Sequence, residues 1–367
     1  MFSGTYNSKD VTFLLKVIEM AETETFNKEK LIQSGQKHYS QMLSIENAPS
    51  KEYLEVFYQS LEYNKKRFAQ DILNLANYIN QNSLEKLNQT FPEEIIIVSL
   101  ARAGTPVGVL INRILKEIFN KKVYHYSLSI IRDKGLDLNA LTYIYKKHGD
   151  SNIFFIDGWT GKGVISKELK NSVNNFNQKY HSNISDSLYV VSDISGTADF
   201  SVTHDDYLIP SAVLNSTISG LISRTMTDLD QLKENDFHAC KFYSSLSEYD
   251  LSLWFIEQIM GIIKNLKAVD IKINLTDQKE KLKDKSTSFL KDMMLKYSIN
   301  NINYIKPGIG ETTRVLLRRV PDRILVSDIN SEDIKHLIVL AKEKGCLVEE
   351  NINMPYKAVG IIAKVKD

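Results

Sequence analysis

The sequence predicts an α/β protein with a mainly parallel central sheet, followed by a second, smaller α/β domain. Short apolar runs at residues 95–98 and 153–156 lack polar alternation, which is typical of parallel strands buried on both faces. Each run is followed by a small-residue loop and then by a segment with helical spacing. After about residue 266 the chain becomes lysine-rich, and a compact second α/β pattern runs to the end.

These patterns divide the chain into three predicted regions. Residues 1–265 form the first domain, and its first part, 1–83, is mostly helical because apolar side chains recur at helical spacing between Tyr53 and Asn80. Residues 266–300 form a helical linker, and residues 301–367 form the small domain. The predicted strands cover 95–98, 123–131, 153–156, 188–191, 324–327 and 359–365, and the predicted helices cover 107–118, 139–147, 311–317 and 331–344.

The bulk composition excludes several classes of protein. The chain has 46 Lys+Arg and 45 Asp+Glu, so any polyanion site must be a local patch. The two cysteines, Cys240 and Cys346, have no metal-ligand spacing and exclude a disulfide scaffold. The first residues lack a signal-peptide pattern, and no apolar run is long enough to span a membrane. We expect a soluble cytoplasmic protein with no membrane partner and with the possibility of a homodimer.

The segment after residues 153–156 has the pattern most typical of a phosphate site. Asp157 is followed by the 160–163 loop, made of Thr160, Gly161, Lys162 and Gly163, and then by a helix. Glycines let a loop expose successive N–H groups, and a helix N-terminus adds partial positive charge. We predict that the loop binds a phosphate and that Asp157 binds ribose hydroxyls or Mg²⁺. An ordinary glycine-rich turn has the same pattern.

A second loop follows the strand at residues 95–98 in the same way. This 101–104 loop consists of Ala101, Arg102, Ala103 and Gly104, which suit an oxyanion through backbone amides and a guanidinium. The alternative is a tight turn whose arginine points to solvent. Because ligands of parallel sheets bind at the carboxyl ends of the strands, we expect both loops at one site.

Further polar residues follow the other strands. Arg132 comes after the second strand and is predicted to contact pyrophosphate or an acceptor; the alternative is a charged surface loop. Asp193 and Asp199 follow the fourth strand, where acceptor-binding residues are expected. His38 and Tyr39 are predicted to be a solvated loop pair.

The segments FFIDGWTGKG and VSLARAGTP resemble the two phosphate-binding elements of phosphoribosyltransferases, which use 5-phosphoribosyl pyrophosphate. The resemblance implies a type I phosphoribosyltransferase-like sheet, Mg²⁺ bound with the donor at Asp157, and an acceptor that the sequence does not identify. It implies catalytic roles for Asp157, Arg102 and Arg132, the 5-phosphate on the 160–163 loop and pyrophosphate on the 101–104 loop. Gly158 stands where a second acidic residue is usual, so a non-catalytic nucleotide sensor is an alternative.

Most of the first domain is similar to a bacterial family found beside tellurium-resistance and stress operons. FSGTYNSKDVTFLLK, YSLSIIRDKGLDLNAL and DYLIPSAVLNSTISGLISRT are the segments that carry this similarity. The family is thought to make or modify a nucleoside-like product, and some members are labelled cysteine protease StiP. A protease is the weaker alternative, because His238 and Cys240 are only two residues apart and this spacing neither orients a base nor lowers a thiol pKa.

The region after residue 301 resembles the L7Ae and Pelota-type RNA-binding fold. Gly308, Glu311 and Arg314 match the glycine, glutamate and basic positions of its RNA-contacting helix start, and Gly310 stands where that family has an asparagine. The resemblance implies binding of structured RNA by Gly308, Glu311, Arg314 and Arg318. A solvated basic helix face is the alternative. We expect this region to fold by itself.

Overall fold

The computed structural model describes residues 1–86, 94–270 and 275–365. The strands are β1 (Thr12–Phe13), β2 (Lys16–Val17), β3 (Glu22–Thr23), β4 (Leu43–Ser44), β5 (Glu94–Ala101), β6 (Lys122–Ile131), β7 (Gly135–Leu136), β8 (Ile153–Thr160), β9 (Leu188–Asp193), β10 (Phe200–Thr203), β11 (Ala239–Cys240), β12 (Ile305–Pro307), β13 (Pro321–Val326), β14 (Leu347–Glu350) and β15 (Ala358–Ile362). The helices are α1 (Thr25–Gln33), α2 (Lys51–Lys86), α3 (Gly104–Glu117), α4 (Leu138–His148), α5 (Val164–Tyr180), α6 (Ser252–Ile263), α7 (Leu275–Lys296), α8 (Ile309–Arg318) and α9 (Lys335–Glu343).

The main sheet is parallel, as the sequence predicts, except for the short strand β7. Its strands lie in the order β1-β6-β5-β8-β9-β10, and β7 pairs antiparallel with β6. The chain moves outward from β5 to β6 and then crosses to β8 on the other side of β5. At such a reversal the loops after the two adjacent strands leave a crevice, which is where ligands of open α/β sheets bind. The 101–104 loop and the 160–163 loop follow these two strands.

Helices cover both faces of the sheet. Side chains of α2, α3 and α6 form the core on one face, where Phe57, Phe68 and Phe255 are fully buried. Side chains of α4 and α5 cover the other face, with Phe176 buried against the strands. Because strands buried on both sides need apolar residues at every position, the runs in β5 and β8 show no alternation.

The prediction that residues 1–83 are mostly helical holds for α1 and α2 but not for the rest of the segment before Lys51. The first 50 residues contain α1, four very short strands and loops that wrap onto the main sheet. The Leu14 amide donates to the Ser127 carbonyl at 2.9 Å, and the Asp10 carboxylate accepts two hydrogen bonds from Arg113 at 2.8 and 2.6 Å. These long-range contacts hold the segment extended, so tertiary structure overrides local helical preference.

The small domain has a four-stranded sheet in the order β12-β15-β13-β14. The sequence did not predict β12 or β14. The second half of α7 belongs to this domain rather than to a linker, since Phe289, Leu290 and Met293 are buried in its core. Residues 271–274 of the predicted 266–300 linker lie outside the described residues, as do residues 366 and 367.

The two domains share an apolar core and a polar seam. Ile309 and Leu316 of α8 belong to the same buried cluster as Leu208 of the first domain. Asp206 accepts hydrogen bonds from the amides of Ile309 and Lys357 at 2.9 and 2.8 Å. In the full chain the region after residue 301 is therefore packed closely against the first domain, and its folding by itself stays a prediction. Within the described residues, no helix combines the length and apolar content needed to cross a membrane.

The packing of α7 predicts a sharp difference between two positions on that helix. Phe289 is 8% exposed and its ring meets Tyr356 edge-on at 5.4 Å, whereas Leu295 is 80% exposed. We expect Phe289→Ala to lower the free energy of unfolding by about 3 kcal/mol, because it leaves a cavity under the small domain. Leu295→Ala should change it by less than about 0.5 kcal/mol. Urea unfolding measures both; equal effects would contradict the assignment of α7 to this core.

Candidate anion-binding site

A cavity of about 280 Å³ lies between the carboxyl edge of the main sheet and α8 of the small domain. We call it the cationic cavity, because eight basic side chains line it: Lys28, Arg132, Lys162, Arg224, Lys306, Arg314, Arg318 and Arg319. Asp157 and Glu311 are the acidic residues of its lining, and Tyr39, Trp159 and the 160–163 loop complete much of its wall. Both domains contribute, so the site exists only in the assembled chain.

The 160–163 loop has the geometry of a helix-terminal anion site. Gly163 precedes α5 with φ +80°, a conformation that favours glycine, and a Cβ there would lie 2.6 Å from the Thr197 methyl. The Lys162 ammonium donates to the carbonyl of Ile302 at 2.7 Å and so ties the loop to the small domain. The Thr160 hydroxyl donates to Asp193, which leaves backbone groups as the loop's main donors to a ligand.

Asp157 lies near the end of β8 and lines the cavity, as predicted. Burial raises the pKa of its carboxyl to about 6, although nearby Arg314 acts in the opposite direction. A Cβ on Gly104 would lie 3.3 Å from the Asp157 carboxylate, so the 101–104 loop packs against β8 at Asp157.

The cations of the cavity are only partly neutralised by protein carboxylates. Arg314 pairs with Glu311, Arg319 with Glu29, and Arg132 with Asp133. In the described part of the chain the remaining five have no carboxylate within salt-bridge distance: Lys28, Lys162, Arg224, Lys306 and Arg318. The site therefore carries an excess of positive charge that a polyanion would neutralise.

Burial and the excess of positive charge lower the pKa values of the three lysines that line the cavity. Burial and neighbouring cations lower the pKa of Lys28 to about 7, that of Lys162 to about 7 and that of Lys306 to about 8. With these pKa values Lys28 and Lys162 are about half protonated near pH 7, and an anion nearby would favour their protonated forms. Perturbed groups that converge on one cleft are a common mark of a functional site.

Arg102 does not take the predicted catalytic or pyrophosphate-binding position. Its guanidinium donates to both Glu46 carboxylate oxygens at 3.2 and 3.1 Å and to the Ile222 carbonyl at 2.7 Å. It is 8% exposed and is not part of the cavity lining. The buried ion pair with Glu46 therefore gives Arg102 a structural role. The 101–104 loop takes part in the site only because Gly104 packs closely against Asp157.

Asp193 and Asp199, which were predicted to bind the acceptor, also form hydrogen bonds within the protein outside the cavity. Asp193 is fully buried, and its carboxylate accepts hydrogen bonds from Thr160, Thr197 and Ala198, so it shapes the loop after β9. Asp199 accepts from the Lys170 ammonium at 2.7 Å and the Leu188 amide at 2.9 Å. Neither carboxylate lines the cationic cavity, and the geometry does not support acceptor binding by either.

Arg132 does line the cavity, together with residues that sequence reasoning missed. Tyr39, expected in a solvated loop, lies between Arg132 and Arg224, whose guanidinium carbons are 4.9 and 4.7 Å from its ring centroid. Lys28 and Arg224 carried no sequence signal, because they come from unrelated segments that meet only in the folded chain. Several basic residues within one motif would have indicated an anion site in the sequence, whereas single basic residues in separate segments give no such pattern.

The residues predicted to bind RNA face this same cavity. Glu311, Arg314 and Arg318 are in its lining, and Gly308 begins the helix that carries them. The Arg314 guanidinium lies 4.6 Å from the Trp159 ring centroid.

Contact with β8 also explains why the helix start lacks the expected asparagine. A Cβ on Gly310 would lie 2.5 Å from the Trp159 indole. A side chain at that position would have to displace the Trp159 indole or α8, so the close contact between the domains favours glycine.

The cysteines do not form a nucleophilic site. Cys240 is fully buried, and burial raises its thiol pKa to about 12. The His238 ring is hydrogen-bonded to the Ser129 hydroxyl at 2.8 Å. Burial raises the thiol pKa of Cys346 to about 11. A catalytic cysteine needs a lowered pKa and an adjacent base, and neither thiol has them.

The fold and the site together define an α/β protein whose cationic cavity, at the carboxyl edge of the main sheet, is closed by a fused small domain. Comparison with known sequences then gives the family: the chain belongs to the StiP family, whose model, described as tellurite-like stress resistance cysteine protease StiP, matches residues 4–260. A model of the PELOTA RNA binding domain matches residues 284–364. The resemblances to the tellurium-resistance family and to the Pelota-type fold are thereby confirmed.

The cysteine protease StiP of Acinetobacter baylyi is 40% identical over 375 residues, which is 99% of this chain and 95% of that protein. Among solved structures, hypoxanthine phosphoribosyltransferase of Trypanosoma cruzi is 13% identical, with 39% of this chain and 82% of that chain covered and a TM-score of 0.29. A mutant of the same enzyme with the product IMP is 11% identical, with 55% and 94% covered and a TM-score of 0.30.

The raised pKa of Asp157 makes a prediction about stability. Because the pKa of Asp157 is higher in the folded protein than its ordinary value of 3.8, folding favours the protonated carboxyl. The stabilisation that the protonated carboxyl contributes is present at pH values below 3.8 and is lost as pH rises through about 6. Asp157→Asn should therefore stabilise the ligand-free protein at pH 8 by roughly 1–3 kcal/mol and have little effect at pH 4. Urea unfolding at both pH values measures this. Asp292→Asn, an exposed change on α7, is the control; destabilisation by Asp157→Asn at pH 8 would refute the argument.

Proposed function

We propose that this chain binds a phosphorylated ribose compound in the cationic cavity and acts on it as a phosphoribosyltransferase-like enzyme. The observation that carries the proposal is the convergence of eight basic side chains and a glycine-rich helix start at the carboxyl edge of a parallel sheet. An anion of several charges, with a sugar that hydrogen-bonds to Asp157, suits a cavity of this size and polarity.

Each part of the cavity has a role in this proposal. The 160–163 loop binds the 5-phosphate with backbone N–H groups and the Lys162 ammonium, and Asp157 accepts from ribose hydroxyls. Arg314 covers the ligand from the small domain, and Trp159 supplies an apolar wall. Since these groups come from two domains, closure of the seam excludes water and strengthens the electrostatic interactions.

The proposed reaction breaks the bond between ribose C1 and the pyrophosphate oxygen. Pyrophosphate leaves with the bonding electron pair, and a nucleophilic atom of the acceptor forms the new bond to C1. The protein contributes positioning and stabilisation of the charge that develops on the leaving oxygens. Cationic side chains provide that stabilisation directly.

The residues of the site fit Mg²⁺ only when the donor's phosphates supply most of the ligands of the ion. Within the described residues no cluster of three or more His, Cys, Asp or Glu side chains is arranged to hold a metal. Asp157 is the one cavity carboxylate outside an ion pair, because Glu311 is paired with Arg314. Mg²⁺ commonly binds through one carboxylate and substrate phosphates. We therefore propose that Asp157 holds the ion when the pyrophosphate carries it, and that the protein cations bind the 5-phosphate without it.

Proteolysis, the activity in the name of the relatives, is less well supported by this chain. The high thiol pKa values and the buried position of Cys240 are opposite to what a cysteine nucleophile needs.

RNA binding is the second candidate function, since residues 284–364 match an RNA-binding domain model. Arg314 and Arg318 would have to leave the cavity before they contact RNA. With the two domains in contact, a small ligand in the cavity is therefore the better supported function.

Binding of ribose 5-phosphate tests the proposed site directly. By isothermal titration calorimetry, wild type should bind it, and Lys162→Gln should weaken binding about tenfold or more, because one charge-assisted hydrogen bond is lost. Lys167→Gln makes the same charge change at an exposed position of α5 and should bind like wild type. EDTA should leave the affinity unchanged. No binding by wild type, or equal losses in both variants, would sink the proposal.

The lowered pKa values of the cavity lysines predict the pH dependence of binding. Lys162, with Lys306, Arg132 and Glu311 as its charged neighbours, loses its proton as pH rises through about 7. Affinity for ribose 5-phosphate should therefore fall between pH 7 and pH 9, with net proton uptake on binding. Below about pH 6 the phosphate itself gains a proton, so affinity should fall there too. Calorimetry in buffers of different ionisation enthalpy measures the uptake; affinity that rises from pH 7 to pH 9 would contradict this account.

A further inference from the structure

The start of α8 is capped by the first domain rather than by its own segment. Gly308 precedes the helix with φ +94° and has no side chain that could accept from the first helical amides. The Asp206 carboxylate takes this place: one oxygen accepts from the Ile309 amide at 2.9 Å and the other from the Lys357 amide at 2.8 Å. We call these two amides the α8 amide site. Because two segments of the small domain aim N–H groups at one point, the site suits an anion.

The carboxylate that fills the α8 amide site is held there at a cost. Burial raises the pKa of Asp206 to about 6, although the amides of Ile309, Lys357 and Ala358 act in the opposite direction. In the described part of the chain no cation lies within salt-bridge distance of Asp206, and the Lys357 ammonium pairs with Asp333 instead. A phosphodiester group, which stays ionised at neutral pH, would suit the same amides.

Oxygen atoms of the first domain also occupy two side-chain donors at the other end of α8. Arg319 donates to both Glu29 carboxylate oxygens at 2.6 and 2.7 Å. Arg318 donates to the Asn215 side-chain oxygen at 2.9 Å. Since α8 has ten residues, these contacts lie about 15 Å along the helix from the α8 amide site. Several acceptors spaced along one basic helix are also what a nucleic-acid backbone presents.

The segment that carries these donors matches the RNA-binding domain model over residues 284–364. Four basic side chains of this segment line the cavity between the domains: Lys306, Arg314, Arg318 and Arg319. Contact with phosphates by basic side chains and amides dominates the affinity of nucleic-acid-binding proteins. A cavity of about 280 Å³ is too small for a folded RNA, so these groups cannot reach RNA while the domains are in contact.

We infer that the side of the small domain that covers the main sheet is an RNA-binding surface, and that the first domain masks it by placing Asp206, Glu29 and Asn215 on the donors that would bind RNA phosphates. This inference rests on RNA binding, the second candidate function, and does not depend on phosphoribosyl transfer. RNA binds only when α8 separates from the main sheet, so RNA and a ligand of the cationic cavity exclude each other. A seam with a purely structural role predicts instead that loss of Asp206 creates no RNA binding.

Removal of the Asp206 carboxylate tests the masking on the full-length chain. The probe is a fluorescently labelled RNA stem with an internal loop, titrated by fluorescence anisotropy. Asp206→Ala should bind it at least about tenfold more tightly than wild type, because the α8 amide site is freed and the seam is loosened. Asp205→Ala removes the same charge at the exposed neighbouring position, where the carboxylate pairs with Arg67, and should stay within about twofold of wild type.

A second variant loosens the seam at the other end of α8. Glu29→Gln removes the ion pair with Arg319 and should tighten RNA binding severalfold, which keeps the test decisive if Asp206→Ala does not fold with wild-type circular dichroism. Equal affinity in wild type, Asp206→Ala and Glu29→Gln, or an equal gain in Asp205→Ala, overturns the masking. Absence of RNA binding by every variant at low salt overturns RNA binding as well. The phosphoribosyltransferase proposal is tested separately, by the titration with ribose 5-phosphate.

Discussion

Repulsion among like charges is the constraint on which this structure depends. Bringing eight basic side chains to one cavity is costly, because each loses water and faces the fields of the others. The chain offsets part of this cost with Glu29, Asp133 and Glu311, which pair with Arg319, Arg132 and Arg314. Neutral acceptors hold four of the other cations: Lys28, Lys162, Arg224 and Arg318. The excess that remains makes the free site receptive to a polyanion. In the proposed function, a bound polyanion would supply the missing negative charge.

The small domain is integral to the site for the same reason. It contributes several of the cations, and Lys162 of the first domain reaches the Ile302 carbonyl across the seam. The absence of a side chain at Gly310 lets Trp159 and α8 approach each other closely. A helix start that resembles an RNA-binding element is thus turned inward onto the sheet. The segment that matches the RNA-binding domain model therefore contributes one wall of the cationic cavity.

The sequence predicted those parts of the site that lie on single segments. Asp157 and the 160–163 loop were found because strand, glycines and helix follow each other along the chain. Arg102 was misassigned because its partner Glu46 lies 56 residues away and gives no local signal. Lys28 and Arg224 were missed for the corresponding reason, since each is an isolated basic residue whose meaning comes from its neighbours in space. The parallel sheet was predictable because burial on both faces leaves its pattern in each strand.

Fluorescence of Trp159 tests most directly whether the cavity between the domains is the ligand site. The chain has two tryptophans, so in a Trp254→Phe background Trp159 is the only one that reports. Addition of 5-phosphoribosyl pyrophosphate should change its emission saturably, and Arg314→Gln in that background should weaken the response at least about tenfold because the cation that covers the ring is lost. Arg323→Gln, outside the cavity lining, should respond like the background. An emission unchanged at ligand concentrations that calorimetry shows to be saturating would place the ligand elsewhere and contradict the account.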